Sequence, residues 1–285
     1  MNEIKAVCLD MDGTILNNHN QLEQNTKNVI EQIRQLGVKV FIVTGRAYKE
    51  VLDITEGNVE LDGIVTANGM ITYLDEELLR QHHLSTEVID RVIQLARDHQ
   101  IFYEVHPVNG NRTTLKIDQP YMEQMIKQDK PDEVGLHEWL EREEAINQAI
   151  DWVDELPAVQ YAKIYCFADR HQHMQQWISE LDELKQDTPF STSSSSPHNV
   201  EVMVANVNKA TGISALLEHY DLNPESVLAI GDSNNDIAMM EIVGYPVAMK
   251  NATDQIKKIT RVTTEQTNDE EGVYHFLKDF FQHKL

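Results

Sequence analysis

The chain has 285 residues, more than one average domain and at most two, and its 41% hydrophobic content can build a sizeable core. With 24 Lys and Arg against 47 Asp and Glu, a formal charge of −23, it lacks the cation clusters that sequence-independent nucleic-acid binding needs. No apolar run reaches the roughly 18 residues of a membrane span, and the chain starts without a signal-like segment, so a cytoplasmic protein with neither nucleic-acid nor membrane partners is expected.

The first elements alternate. IKAVCL (4–9), VKVFIV (38–43) and GIVTA (63–67) are short, continuous and rich in Val and Ile, the pattern of buried parallel strands. Between the first two, Thr26, Val29, Ile30, Ile33 and Leu36 recur at helical spacing and Gly37 supplies a stop, which predicts a β-α-β unit. The middle of the chain has a different pattern. FYEVH, TTLKID, YAKIYCF and NVEVMV alternate polar and apolar positions, as half-exposed strands do, and polar helices are expected over 85–99 and 171–184. The acidic patch EWLEREEAI (138–146) reads as a solvated helix face. The first pattern then returns with a helix near 209–220, the strand VLAIG (227–231), a helix from about Asp236, the strand YPVAM (245–249) and a closing helix ending in VYHFLKDFF. The expected fold is an α/β, Rossmann-like doubly wound parallel sheet formed by residues 1–83 and 198–285, interrupted by an inserted α+β domain at 84–197. Cys8 and Cys166 lie inside apolar runs and read as buried free thiols.

Chemistry concentrates where strands end. VCLDMDGTIL closes an apolar run with Asp10 and Asp12, and VLAIGDSNND does the same with Asp232 and Asp236. In an open α/β sheet these positions gather at the carboxyl edge, where ligands bind. Four carboxylates brought together there repel unless a cation holds them, and oxygen donors alone select a hard ion, Mg2+ in particular. A third strand end, VFIVTGR, offers Thr44, Gly45 and Arg46, a hydroxyl, an accessible amide and a guanidinium suited to phosphoryl oxygens. Lys209 opens a helix at the return to the first pattern. Singly each segment could be an ordinary turn or a solvated residue; together they describe a phosphate site.

In these segments the chain resembles the haloacid dehalogenase-like hydrolases, and among them the Cof-type phosphatases with a large α/β cap (type IIB). DMDGT, Thr44 in VTGR, Lys209, and GDSNND followed by Met239 match the four motifs, and TANG (66–69) and KNA (250–252) match further segments. One departure is Ala210, where the lysine motif usually continues with Gly; Gly212 follows two positions later. The resemblance implies that Asp10 is a nucleophile forming an aspartyl-phosphate and that Asp12 is the general acid and base. It also implies a Mg2+ ion held by Asp10, the backbone carbonyl of Asp12 and Asp232, with Asp236 in support. Thr44, Gly45, Arg46 and Lys209 would face the phosphate, with Asn235 and Asn251 orienting this shell. The inserted domain would be the cap that selects substrate. On its sheet, alternation puts Tyr161, Lys163, Tyr165 and Phe167 on the open face of YAKIYCF, and Thr114, Lys116 and Asp118 on that of TTLKID with Leu115 and Ile117 packed. Lys163, Tyr165 and Lys116 are the substrate-contacting candidates. Residues 84–200 hold 10 Lys and Arg against 21 Asp and Glu, a formal −11, which favours a compact monophosphate over bisphosphates and nucleotides.

These features describe a magnesium-dependent phosphatase for small phosphorylated metabolites, sugar or polyol monophosphates. A phosphomutase shares the nucleophile, and a non-catalytic phosphate-binding module shares the fold. Retention of Asp12 speaks against the module, because a binder has no use for a general acid. The motifs contact only the transferred group, so they do not identify the physiological substrate, and no pattern indicates the oligomeric state.

Overall fold

The computed structural model describes residues 3–282. The chain forms two units, one running to Gln81 and resuming at Val207, the other spanning His82–Asn206.

The first unit opens with β1 (Ala6–Leu9), α1 (Gln24–Gln35), β2 (Lys39–Val43), α2 (Tyr48–Thr55) and β3 (Gly63–Thr66), then the hairpin β4 (Ile71–Leu74) and β5 (Glu77–Gln81). The stripe expected on α1 is the buried one, Thr26, Val29, Ile30 and Ile33. The second unit contains α3 (Thr86–Asp98), β6 (Phe102–Pro107), β7 (Arg112–Leu115), α4 (Gln119–Ile126), α5 (Leu136–Glu144), β8 (Ile150–Val153), β9 (Tyr161–Phe167), α6 (His171–Leu184), β10 (Phe190–Ser193) and β11 (Asn199–Val204). The first unit then closes with α7 (Lys209–His219), β12 (Val227–Gly231), α8 (Ile237–Ile242), β13 (Tyr245–Ala248), α9 (Asp254–Ile259), β14 (Val262–Thr263) and α10 (Gly272–Phe281).

Its eight strands run in the order β14-β13-β12-β1-β2-β3-β4-β5, with parallel pairs throughout except the antiparallel β3–β4 and β4–β5. β1 lies between β12 and β2, so the sheet grows to one side early in the chain and to the other side late, making the carboxyl end of β1 a topological switch point. Every residue of β1, β3 and β12 is buried. Fully burying a Leu, Ile, Val or Phe side chain contributes about 1.5–3 kcal/mol, so these continuous runs anchor the residues that follow them. At Gly212, α7 meets the sheet so closely that an added Cβ would lie 2.3 Å from Val65 Cγ1. The glycine this packing needs is therefore Gly212, and Ala210 fits where it stands.

The second unit is a six-stranded sheet, β10-β11-β9-β6-β7-β8, antiparallel except between β7 and β8. The return to the first unit falls at Val207, later than position 198, because Asn199–Val204 pairs with both β9 and β10 and so belongs to this sheet. Alternation also fails along TTLKID, where Thr114, expected on the open face, is fully buried with its hydroxyl bonded to the Tyr103 carbonyl (3.0 Å), and it ends altogether at Leu115. The strand ends there and turns into α4, which leaves Ile117 74% exposed and buries Asp118 against Arg97 (2.7 and 3.0 Å) and the Tyr103 hydroxyl (2.7 Å). The helix of the acidic patch is not simply solvated either. Trp139 and Arg142 are buried, and Arg142 Nη1 bonds the fully buried Glu104 at 2.5 Å while Leu136 and Leu140 are exposed. Cys8 and Cys166 are both free and buried. Among the described residues no helix is long and apolar enough to cross a membrane.

Candidate active site

The turn Met11–Ile15 follows β1 and gives its two acids different surroundings, Asp10 buried at the strand end and Asp12 half exposed in the turn. The Asp10 N–H is bonded to the Ile230 carbonyl of β12 (3.1 Å). The turn reverses at Gly13, which has φ of +69°, and a Cβ there would lie 2.3 Å from Asp232 Oδ2. A glycine meets both demands. It brings the strand ends of β1 and β12 together.

Asp10, Asp232 and Asp236 present carboxylate oxygens within 4.8 Å of one another. Lys209, the first residue of α7, reaches into this group and donates to Asp10 Oδ1 at 2.5 Å and to Asp236 Oδ1 at 2.7 Å. It is held there by a capped helix start, in which the Asn208 side chain accepts from Thr211 N–H (3.3 Å) and Thr211 Oγ1 accepts from Asn208 N–H (3.2 Å). Asp236 spends its second oxygen on the N–H groups of Asp232 (2.9 Å) and Ser233 (3.1 Å). Both of its oxygens are thus engaged within the protein, and it organises the Asp232 loop. Asp232 Oδ1, by contrast, is buried and accepts no hydrogen bond within the protein.

Three carboxylates facing one ammonium leave surplus negative charge. Burial, and then Asp236, hold Asp10 well above the ordinary carboxylate range and push Asp232 up to about 7. For Lys209 burial alone would lower the pKa, but Asp10 and Asp236 overcome it and raise the value. An orphaned buried carboxylate oxygen beside a second acid, with oxygen donors only, fits a divalent hard cation such as Mg2+.

Asp12 stands apart from this cluster. Its half-exposed carboxylate is gripped by Arg46, with Nη2 at 2.5 Å and Nε at 3.0 Å. Arg46 also donates to Asn20 (3.2 Å), so the guanidinium orients an acidic side chain as well as offering charge. Thr44 is fully buried at the end of β2, where its Oγ1 accepts from Arg46 N–H (3.1 Å) and its carbonyl accepts from Asn68 N–H (2.9 Å). Gly45 lies against the Asn68 side chain, so a Cβ there would be 3.1 Å from Nδ2. Asn235 donates to Asn68 Oδ1 at 3.2 Å, which makes Asn68 of TANG a link between two of the expected segments. Asn68 was not among the sequence candidates, although its left-handed backbone (φ +54°) within an Asn-Gly pair is a recognisable turn signal. Asn251 is committed to backbone. It donates to the Gly13 carbonyl at 2.8 Å and accepts from Asn268 N–H at 3.1 Å. Its contacts thus tie the catalytic turn to the segment before α10.

The cap candidates belong to the second unit. Lys163 is buried and paired with Glu201 at 2.5 Å. Tyr165 is also buried; its ring lies 4.1 Å from the Arg142 guanidinium carbon and its hydroxyl donates to Glu138 at 3.3 Å. These two therefore sit in a packed, charged layer rather than on an open face. Glu104, His106 and Arg112 complete it, with His106 Nε2 and Arg112 Nη1 at 3.2 and 3.1 Å from Glu104 Oε2. Lys116 is exposed in the turn after β7, so the geometry does not group it with Lys163 and Tyr165.

Fold and site together define a phosphoryl-handling α/β hydrolase with an inserted second unit. A model of the haloacid dehalogenase-like hydrolase family matches residues 7–277, and the chain belongs to that family. Among its relatives is the 5-amino-6-(5-phospho-D-ribitylamino)uracil phosphatase YcsE of Bacillus subtilis, 28% identical over 272 residues, covering 95% of this chain and 93% of the relative. A haloacid dehalogenase-like hydrolase from B. subtilis shares the fold with a TM-score of 0.80 at 23% identity, over 96% of this chain and 99% of the other. A subclass IIB sugar phosphatase of the same superfamily does so with a TM-score of 0.73 at 19% identity, over 97% and 98%. The protein is a hydrolase whose named relatives act as phosphatases.

Proposed function

We propose that the protein is a magnesium-dependent phosphatase that hydrolyses small sugar or polyol monophosphates through an aspartyl-phosphate on Asp10. The observation that carries this reading is the division of labour at β1, with Asp10 buried beside Lys209 and the orphaned Asp232 oxygen, and Asp12 turned away into the grip of Arg46. Asp10 and Asp232 would hold the ion through their side chains and Asp12 through its backbone carbonyl, with Asp236 fixing the Asp232 loop. When bound, the ion neutralises phosphoryl charge.

The Asp10 carboxylate attacks phosphorus and the bond to the ester oxygen breaks, with Asp12 giving its proton to the departing oxygen. Lys209 and Thr44 hold charge on the transferred group. Asp12 then takes a proton from water, whose oxygen attacks phosphorus, releasing inorganic phosphate and restoring Asp10. Selectivity is assigned to the second unit, where Lys163 and Tyr165, buried against Glu201 and Arg142, would act by shaping the sheet face rather than by meeting the substrate themselves. A polyol or sugar monophosphate is supported by the phosphorylated ribityl compound in the name of the B. subtilis relative, by the sugar phosphatase among the structural neighbours and by the −11 charge of residues 84–200.

The test is a panel of phosphorylated metabolites assayed with Mg2+ for free phosphate, alongside Asp10→Asn and excess chelator. Phosphate release that needs both Asp10 and the metal supports the reading. Conversion to an isomeric monophosphate without net release would make the protein a mutase, and full activity in Asp10→Asn would end the mechanism.

A further inference from the structure

The segment between β14 and α10 closes over the catalytic turn. Asn268 Nδ2 donates to the Leu16 carbonyl at 2.9 Å, and Asn268 N–H donates to Asn251 Oδ1 at 3.1 Å, which leaves Asn251 Nδ2 for the Gly13 carbonyl at 2.8 Å. The neighbouring Asp269 accepts from Asn18 N–H at 2.7 Å and from the Asn18 side chain. Carbonyls in a tight, non-helical turn need partners from elsewhere. Two that follow Asp12, at Gly13 and at Leu16 where the turn ends, find them in this chain of amides.

The gripping segment is itself braced. Thr267 Oγ1 and N–H both donate to Glu270 Oε2 (3.1 and 3.0 Å), Gly272 N–H returns to the Thr267 carbonyl (2.8 Å), and Glu271 takes the left-handed conformation (φ +54°) that ends the turn. The Asp12 carboxylate, in contrast, is 50% exposed, so little packing fixes its direction. Apart from Arg46, its aim depends on the peptide that follows it, whose carbonyl neighbour at Gly13 is the one Asn251 holds.

We propose that Asn268 is a positioning residue for the reaction, acting with Asn251 to fix the backbone of the catalytic turn and thereby the direction of the Asp12 proton donor. The inference rests on the reading of Asp12 given above. Asn268→Ala removes the bond to Leu16 while keeping the Asn268 N–H, and Asn251→Asp keeps the acceptor for that N–H while losing the donor to Gly13. Asn25→Ala is the control, since it removes a bond to Glu271 of the same segment (3.0 Å) without touching the turn.

In the full chain with Mg2+, both test variants should lower kcat on an alkyl phosphate by about 10- to 100-fold, leave KM within about threefold, and cost an aryl phosphate at most about threefold. Asn25→Ala should match the parent. Amide hydrogen exchange followed by mass spectrometry supplies a second, activity-independent readout, in which exchange across residues 11–17 should quicken in Asn268→Ala and not in Asn25→Ala. Parent-like kcat in both test variants, equal losses on the two phosphates, a change in KM alone, or an equal effect of Asn25→Ala would each overturn the inference. If the parent releases no phosphate, the proposed function fails, and unchanged exchange in Asn268→Ala then disposes of the clamp separately.

Discussion

Replacing Lys209 by Met removes the ammonium that bonds both Asp10 and Asp236 and keeps a side chain of similar length. Two charge-assisted hydrogen bonds disappear, at 2.5 and 2.7 Å, from a residue with no exposed surface. Breaking a buried ion pair by deleting one partner costs about 3–5 kcal/mol, because the remaining charge is left uncompensated. At about 2–4 °C per kcal/mol for a unit of this size, the metal-free variant should melt roughly 6–20 °C below the parent. Magnesium should recover part of that loss by supplying the missing positive charge to Asp10 and Asp232. Catalysis should not recover, since a preorganised charged donor to the transferred group is worth about 10²–10³ in kcat. Calorimetry at pH 7.5 with chelator and then with Mg2+, beside phosphate release, tests both halves. A melting temperature within about 2 °C of the parent in chelator would refute the electrostatic argument, because the penalty of an unpaired carboxylate cluster would then be under about 1 kcal/mol.

Other consequences can be checked directly. Glu104 is fully buried; burial would raise its pKa, but Arg142, Arg112 and His106 pull it below the ordinary carboxylate range. A depressed folded pKa stabilises the fold above the unfolded value near about 4.3 and loses that contribution as the pH falls toward the folded value. Urea titrations from pH 7 downward should therefore show the parent weakening below about pH 4.5 and Glu104→Gln already weakened at pH 7 by about 3–5 kcal/mol, with Glu104→Gln/Arg142→Met less affected than the single variant; a flat response of the single variant would contradict the pairing. Asp12→Ala should cost more on alkyl phosphates than on an activated aryl phosphate, whose leaving group needs less protonation, and equal losses would rule out a general-acid role. Lys163→Ala and Tyr165→Ala should reduce catalytic efficiency mainly on the preferred metabolite, by about 10-fold or more, and leave an aryl phosphate nearly unchanged. Parent-like behaviour on every substrate would remove the second unit's sheet face from specificity.

What the sequence by itself determined is the set of features whose signal is local. Short, continuous Val- and Ile-rich runs alternating with helical patterns read as buried strands, so VCLD, VFIVTGR and VLAIGD mark both the sheet and the residues at its carboxyl edge; Lys209, an ordinary lysine taken singly, stands out only in their company at a helix start. The convergence of Asp10, Asp232 and Lys209 was legible because parallel strands share one edge whatever their separation in the chain. Tertiary structure alone decided the partners. Arg46 meets Asp12 across 34 positions and Asn268 meets Leu16 across 252. The two oxygens of Asp236 are met by Lys209, 27 positions earlier, and by the backbone N–H groups of Asp232 and Ser233. In the second unit, alternation marked Lys163 and Tyr165 as exposed, but α5 laid Arg142 over the tyrosine ring and Glu201 paired the lysine. Alternation reports which side of a strand a residue occupies, and whether that side is wet depends on what packs against it. A hydrogen bond between distant residues requires two side chains to meet at about 3 Å, and that meeting is set by helix docking and turn geometry summed over the whole fold, to which no short stretch of sequence holds the key.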